Sequence, residues 1–199
     1  MKKTMVLAVL VLSAVAGFAQ ESRQDASISG IDVITPGVHG NTPVAQVISN
    51  TAGVLGSYRY MLTPHSALEL NYSWAQNTNY YQYAGLQVFI PIHTMQQEFS
   101  AAYVYSLNFH KYSPFLEVGP GVMFFSPIKD FGTGRLDAKR NSNIGGLFGG
   151  GVAYEISPSF DVRAEFRGFF VKSPNFVDDF KTNRYNVIMT PALGVAYHF

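Results

Sequence analysis

The sequence predicts an all-β protein, an eight-stranded antiparallel up-and-down transmembrane β-barrel. Three observations support this prediction. Segments with a two-residue hydrophobic period recur along the chain, the connections between them alternate between short and long, and charged side chains collect on one face of each segment. A period of two is the strand period, because successive side chains point to opposite faces of a sheet.

Eight segments are predicted to be strands, at 25–33, 54–62, 68–75, 98–107, 115–125, 144–156, 160–171 and 185–199. The last alternates most clearly, and because no later segment of this sequence would cover its apolar face, we expect that face to meet lipid. The first alternates poorly and is included mainly because single-chain bacterial barrels have an even number of strands. Pro120 lacks the backbone N–H that pairing in a β-ladder needs, so a bulge is expected there. The same reasoning applies to Pro191.

The connections between these segments sort by length. Short ones are expected at 63–66, 108–114 and 157–159, and long ones at 35–50, 76–95, 126–143 and 172–184. Short turns at one end and long loops at the other are typical of outer-membrane barrels and not of an immunoglobulin-like sandwich. The stretch 87–92 is unusually apolar for an external loop, so we expect it to fold over the barrel mouth or to extend the wall as a ninth and tenth strand.

The first 19 residues are predicted to be a signal peptide, and residues 20–199 the barrel domain. Lys2 and Lys3 precede an apolar run, and small residues at Gly17 and Ala19 predict cleavage after Ala19. The run is shorter than the ~20 residues of a transmembrane helix. The sequence has no cysteine, which excludes disulfides and cysteine-based sites.

The charged residues of the strands are predicted to face inward. An arginine or lysine that faces lipid near the bilayer centre costs ~2–4 kcal/mol, a large part of a fold stable by ~5–15 kcal/mol. Eight strands leave an interior only wide enough for side chains, so we expect a packed polar lumen with paired charges. The predicted network is Arg59, Glu69, Glu98, Glu117, Glu155, Asp161, Arg163, Glu165 and Arg167. The predicted aromatic girdles are Tyr58, Tyr60, Tyr72, Trp74, Tyr103, Tyr105, Tyr154, Tyr185 and Tyr197.

Strand count, loop asymmetry and leader together resemble the small eight-stranded outer-membrane barrels typified by the OmpA transmembrane domain, OmpX and the opacity-type porin-like proteins. The alternating apolar ending with Tyr197 and Phe199 resembles the C-terminal assembly signal of such barrels. The resemblance implies a monomer in the cell outer membrane. Its expected partners are outer-membrane lipid and lipopolysaccharide, and the barrel-assembly machinery acting on the last strand.

No motif in the sequence indicates catalysis. The five histidines lack metal-binding spacing, the glycines at 145–151 match no phosphate-binding loop, and no strand carries the histidine and serine of a lipid A deacylase. We therefore expect no enzyme activity, cofactor or metal, and the nearly balanced charge gives no reason to expect nucleic acid. The expected role is structural or adhesive. The open alternatives are an OmpW-like conduit for small solutes, a lipid-modifying enzyme and a soluble lipocalin-like carrier.

One predicted external loop, 126–143, carries a small excess of positive charge. Its basic residues are Lys129, Arg135, Lys139 and Arg140, and its acidic residues are Asp130 and Asp137. Such a loop suits contact with lipopolysaccharide phosphates, although an ordinary solvated loop explains the same composition.

Overall fold

The structure is a computed structural model, and it describes residues 23–39, 44–83, 89–128, 139–174, 176 and 184–199. The predicted signal peptide lies outside this part of the chain. Within it, no helix has the length and hydropathy needed to cross a membrane. The strands are β1 (Gln24–Val33), β2 (Val38–His39), β3 (Val44–Ile48), β4 (Thr51–Thr63), β5 (Ser66–Tyr83), β6 (Phe89–Ser106), β7 (Tyr112–Pro127), β8 (Asn141–Ser157), β9 (Phe160–Lys172) and β10 (Tyr185–His198).

Eight of these strands close into an antiparallel barrel. From β4 to β10 each strand pairs with the next, and β1 completes the wall by pairing with both β10 and β4. The predicted fold class is confirmed. The weakly alternating first segment is also a strand, since all ten of its residues pair with β4.

The strand registers fix the tilt of the wall. A path that leaves β5 at Ala75 and follows paired residues through β4, β1, β10, β9, β8 and β7 reaches Ser106 on β6. Ser106 donates its N–H to the carbonyl of His65, ten positions before Ala75. A shift of ten residues around eight strands corresponds to a tilt of roughly 40°, within the range of membrane barrels.

The two ends of the barrel differ. At the short-turn end the wall strands are joined at 64–65, 107–111 and 158–159, and β1 begins and β10 ends there. We call the opposite end the long-connection end. The prediction of a loop at 76–95 there is wrong. β5 continues to Tyr83 and β6 starts at Phe89, so these strands lengthen the wall without adding a ninth and tenth strand, and 84–88 lies outside the described residues. The short hairpin β2–β3 lines up beside this extension, where β3 pairs with β5.

The two prolines in the wall leave the registers unchanged. The pairs of β6 with β7 keep one register on both sides of Pro120, so the bulge expected there is wrong. Pro191 pairs with Phe166 on β9, while the β1–β10 ladder omits it and resumes as a bridge between Ile34 and Met189. Each proline therefore interrupts a ladder locally and does not shift it.

The outer face of the barrel is apolar around its whole circumference. Large hydrophobic side chains are exposed on this face, with exposed fractions of 69% for Ile28, 69% for Leu116 and 82% for Ile144. Near the short-turn end, aromatic rings contact one another, with centroids 5.0 Å apart for Tyr112–Tyr154 and 5.0 Å apart for Phe160–Tyr197. A monomeric soluble protein does not expose a continuous apolar belt of this kind, whereas a lipid-facing wall requires it.

Inward-facing glycines on β7 and β8 make room for aromatic rings from nearby strands of the wall. A Cβ atom on Gly121 would lie 2.8 Å from Cε2 of Phe169, and one on Gly145 would lie 2.5 Å from Cε1 of the same ring. On Gly151 it would lie 2.8 Å from Cζ of Phe115. These glycines therefore set how closely side chains fill the lumen.

Gly145→Ala is expected to lower the free energy of unfolding by about 1–3 kcal/mol, because its Cβ would overlap the Phe169 ring and the Phe170 carbonyl. The control is Gly146→Ala, where a Cβ would point outward with its nearest neighbour 4.0 Å away. Urea unfolding in lipid vesicles, followed by fluorescence of Trp74, measures both. Equal effects of the two substitutions would contradict close packing of the lumen.

Candidate functional site

Buried charged side chains form a layer across the middle of the barrel, which we call the polar layer. None of its members is more than 4% exposed, and they are Asp25, Arg59, Glu69, Glu98, Glu117, Arg163 and Arg167. They occupy alternate strand positions whose neighbours face outward, as the two-residue period requires. Six of them belong to the set that the sequence predicts to face the lumen.

Three ion pairs connect strands within the polar layer. Arg59 and Glu69 pair across β4 and β5 at 2.6 Å, and Arg163 on β9 donates from Nη2 to Oδ2 of Asp25 on β1 at 2.7 Å. Arg167 on β9 reaches β6, where its Nη2 lies 3.0 Å from Oε1 of Glu98. Charge-assisted hydrogen bonds of this length are among the stronger polar contacts in proteins, so the two pairs made by β9 tie together strands that are not neighbours in the wall.

The carboxylates of the polar layer outnumber its guanidinium groups. Glu117 is a carboxylate without a hydrogen-bond partner. Its Oε1 is 3.3 Å from Nε of Arg167, but neither of its oxygens makes a hydrogen bond within the described structure. Ser100 supplies a hydroxyl donor to Glu98 at 2.8 Å, and the Arg59 guanidinium lies 4.7 Å from the centroid of the Phe115 ring. The layer is thus filled by paired charges, hydroxyls and a ring.

The lumen is not polar throughout, which corrects the expectation of a packed polar lumen. Toward the long-connection end, inward positions carry a second group of buried side chains, the apolar layer, which is at most 5% exposed. Its members are Ile31, Val33, Leu55, Met123, Phe125, Leu147, Phe169, Val171 and Ile188. Above it, Phe176 from the β9–β10 connection is buried edge-on against Tyr81, with ring centroids 6.5 Å apart. Apolar side chains therefore pack together in this half of the barrel.

Three residues of the predicted network lie outside the buried layer. Asp161 is half-buried near the short-turn end and pairs with His198 at 2.8 Å, not with an arginine. Glu155 is exposed at the same mouth, and Glu165 is half-buried on β9. Glu155 and Asp161 line a cavity of about 680 Å³ that opens at the short-turn end and reaches Arg59 and Arg163.

Asp25 belongs to the polar layer but was missed by the sequence analysis. Its strand looks irregular because the inward face changes from polar at Asp25, Ser27 and Ser29 to apolar at Ile31 and Val33. A single hydrophobic period cannot describe a face that crosses both layers. The signal that could have identified Asp25 is the polar half of this strand's inward face, in which Asp25 precedes Ser27 and Ser29 at a spacing of two.

The described residues contain no group of three histidine, cysteine or carboxylate side chains arranged to hold a metal ion. The strongest polar groups of the lumen are arginines and carboxylates committed to one another, and we find no cradle for a cofactor among them. Chemically, the arrangement crosslinks the strands of the wall.

Comparison with known proteins agrees with this architecture. Residues 5–199 match the family model described as outer membrane protein beta-barrel domain. The chain belongs to this family. No curated protein matches its sequence.

Solved structures show the same fold at low sequence identity. Neisserial surface protein A is 15% identical with a TM-score of 0.61, covering 89% of this chain and 98% of that one. OprG of Pseudomonas aeruginosa is 10% identical with a TM-score of 0.63, covering 90% and 97%. The attachment invasion locus protein Ail of Yersinia pestis is 17% identical with a TM-score of 0.51, covering 90% and 100%.

Membership in this family places the chain in the cell outer membrane. In such barrels the short turns face the periplasm and the long connections face outside. The polar layer and the cavity of about 680 Å³ then lie toward the periplasm, and the apolar layer with Phe176 lies toward the exterior.

Arg167→Met is expected to lower the free energy of unfolding by about 3–5 kcal/mol, because Glu98 and Glu117 would stay buried without their cation. Urea unfolding in lipid vesicles measures the change. Adding Glu98→Gln and Glu117→Gln to the same protein is expected to restore much of the loss, which separates uncompensated charge from lost packing.

The control for this series is Glu155→Gln at the exposed periplasmic mouth, where a change within about 0.5 kcal/mol is expected. If Glu155→Gln destabilises the barrel as much as Arg167→Met does, the division between a buried layer and an open mouth is wrong.

Proposed function

We propose that this outer-membrane barrel has a structural or adhesive role and that its lumen stays closed. The observation that supports the proposal is that two different layers of buried side chains follow one another along the lumen. Arg167 spans from β9 to β6 in the polar layer, and Phe169, two positions farther along β9, fills the apolar layer against glycines. A permeating ion would have to separate buried ion pairs and then cross an apolar plug, both of which are costly.

The external extension supports the adhesive part of the proposal. Where β5 and β6 extend beyond the apolar belt, their inward faces carry buried amides and hydroxyls. Asn77 donates to Gln96 at 3.0 Å, and Asn79 donates to Thr94 at 2.9 Å. These bonds hold the hairpin as a continuation of the wall. Because regular strands project it outward, the extension presents a rigid surface to the exterior.

The outer face of this extension offers apolar contact. Tyr80 and the paired Val47 on β3 are 38% and 51% exposed, beyond the polar residues Gln76 and Thr78 that follow the apolar belt on β5. Partly exposed tyrosines on a rigid frame are common anchors of protein contacts. One protein of the same fold is named for attachment and invasion, and attachment is the role that this surface suits.

Wild-type protein in planar lipid bilayers is expected to give no reproducible unitary currents. The double variant Arg167→Ala, Phe169→Ala removes one side chain from each layer and is expected to conduct. Glu155→Ala, at the open mouth, serves as a control that stays closed. Unitary currents from the wild-type protein would overturn the closed lumen.

Shortening the external hairpin is expected to reduce attachment. Residues 78–93 are replaced by an Asn-Gly turn, and bacteria expressing either form are counted on immobilised extracellular-matrix protein. Heat-modifiable gel mobility confirms folding and equal amounts in the outer membrane. The proposal predicts that attachment falls to the level of cells without the protein, and unchanged attachment would contradict the adhesive role. Tyr80→Ser with Val47→Ser tests the apolar contact in the full-length hairpin.

A second candidate, a narrow OmpW-like conduit, is favoured by one observation. The periplasmic cavity of about 680 Å³ and the external apolar layer are separated mainly by the polar layer. Movement of Arg167 away from Glu98 would connect them. For ionic solutes, unitary currents in the bilayer recordings would support the conduit over the closed lumen. For uncharged solutes, uptake of a radiolabelled apolar solute by cells expressing the protein would do the same.

A further inference from the structure

Two cations stand on the outer face of the barrel at its external rim, on neighbouring strands. Arg140 immediately precedes β8 and is exposed, and its guanidinium lies 4.8 Å from the centroid of the Phe124 ring on β7. Lys172 ends β9 on the outward-facing positions, where it lies opposite Tyr185 of β10 and its carbonyl accepts a hydrogen bond from Asn143 of β8 at 2.8 Å. The sequence analysis singled out Arg140 in a basic loop, and the structure adds Lys172 at the end of the neighbouring strand.

Aromatic rings lie directly below these cations. Phe124 packs edge-on against Phe99 at 6.0 Å between centroids, and Phe99 contacts Tyr72 at 4.7 Å. On the other side Phe170 stacks on Tyr185 at 5.1 Å. The external girdle therefore carries a positive charge above each of two aromatic groups, at the level where lipid headgroups begin.

Between the two aromatic groups the wall has a bare notch. Gly146 on β8 faces outward, and a Cβ placed there would meet nothing closer than a carbonyl oxygen 4.0 Å away. Ile144 stands above the notch and is 82% exposed, Phe148 stands below it, and Phe170 is the paired neighbour on β9. The notch has the width of one missing side chain and is lined by apolar groups.

We propose that this surface binds one molecule of the phosphorylated glycolipid of the outer leaflet, with lipid A phosphates at Arg140 and at Lys172 and an acyl chain in the notch at Gly146. The proposal is independent of whether the barrel is adhesive or conducting. It commits to a membrane lipid, because the cations and the notch lie on the lipid-facing side of the wall.

The dimensions of the surface fit such a lipid. Arg140 and Gly146 are six positions apart on one strand face, which at about 3.3 Å per residue and a tilt of roughly 40° separates them by about 15 Å along the barrel axis. That distance is comparable to the length of one fatty-acyl chain. A lipid whose phosphate contacts the rim can therefore place its chain over the notch.

Charge on this face complements phosphate. Ser142, exposed between Arg140 and Ile144, adds a hydroxyl donor. Among the described residues the outward-facing carboxylate is Asp32, which lies on β1 outside the β7–β9 surface. Each cation near an anionic membrane surface contributes about 1 kcal/mol to binding, so the pair is expected to account for more than a tenfold difference in affinity.

The test is native mass spectrometry of the full-length protein refolded in detergent and titrated with bisphosphorylated lipid A. Wild-type protein is expected to bind one molecule, and the same lipid stripped of both phosphates is expected to bind at least tenfold more weakly. Arg140→Gln with Lys172→Gln is expected to lower affinity for the phosphorylated lipid to that of the stripped one. Equal binding of the two lipids by the wild-type protein would overturn the proposal.

Matched controls separate this site from general charge and surface effects. Arg23→Gln with Lys111→Gln removes the same two charges from the exposed periplasmic rim and is expected to leave lipid A binding unchanged. Gly146→Leu fills the notch and is expected to weaken both lipids, whereas Gly56→Leu, at an equally open outward glycine on β4, is not. If the periplasmic pair or Gly56→Leu weakens binding as much as its counterpart, the site is not where we place it. Heat-modifiable mobility verifies that each variant is folded.

Discussion

A chain that crosses a bilayer with strands must satisfy every backbone N–H and C=O within itself, because hydrocarbon offers no hydrogen-bonding partner. The closed wall of this protein meets that requirement apart from local interruptions at Pro120 and Pro191, since β1 pairs on both sides and each of the eight described wall strands has two neighbours. The other features follow from closure. With eight strands and a shift of ten residues the interior is narrow, so the side chains that point inward have to fill it and neutralise one another.

The lumen meets this demand in two ways. Charged groups cannot be left unpaired in a space that excludes water, so arginines on β9 reach carboxylates on β1 and β6. Toward the exterior the same strands change to apolar inward residues, which need no partner but need exact volume. The glycines of β7 and β8 provide that volume by leaving room for Phe169. Polar pairing and glycine-assisted packing thus fill the lumen at different depths.

Much of the fold was predictable from the sequence because the outer face is uniform. Lipid imposes one requirement along a whole strand, so residues such as Phe166, Leu193 and Leu116 give a regular period whose strands the structure confirms. The inner face was harder to predict, because both polar and apolar side chains can fill a narrow lumen. The extension of β5 and β6 was missed for a related reason. Above the membrane both faces carry polar residues, as at Gln76 and Asn77, so alternation no longer marks a strand.

Pairing partners within the lumen could not be predicted from single positions. The sequence indicated which charges point inward, but partner choice depends on shear, which places Arg167 near Glu98 and Arg163 near Asp25. Glu155 has the same alternation as Glu117, yet it lies where the lumen widens into the periplasmic cavity. Depth along the axis, and not orientation alone, decides whether a carboxylate is buried.

The contact between Asp25 and Arg163 also bears on how the protein reaches its native state. These residues are 138 positions apart in the chain, and they meet only when the first strand docks against the last. An open, curved sheet of the other seven strands would hold Arg163 without its counterion. Opening the seam between β1 and β10 would separate this buried pair of charges, which makes reopening of the closed barrel unfavourable.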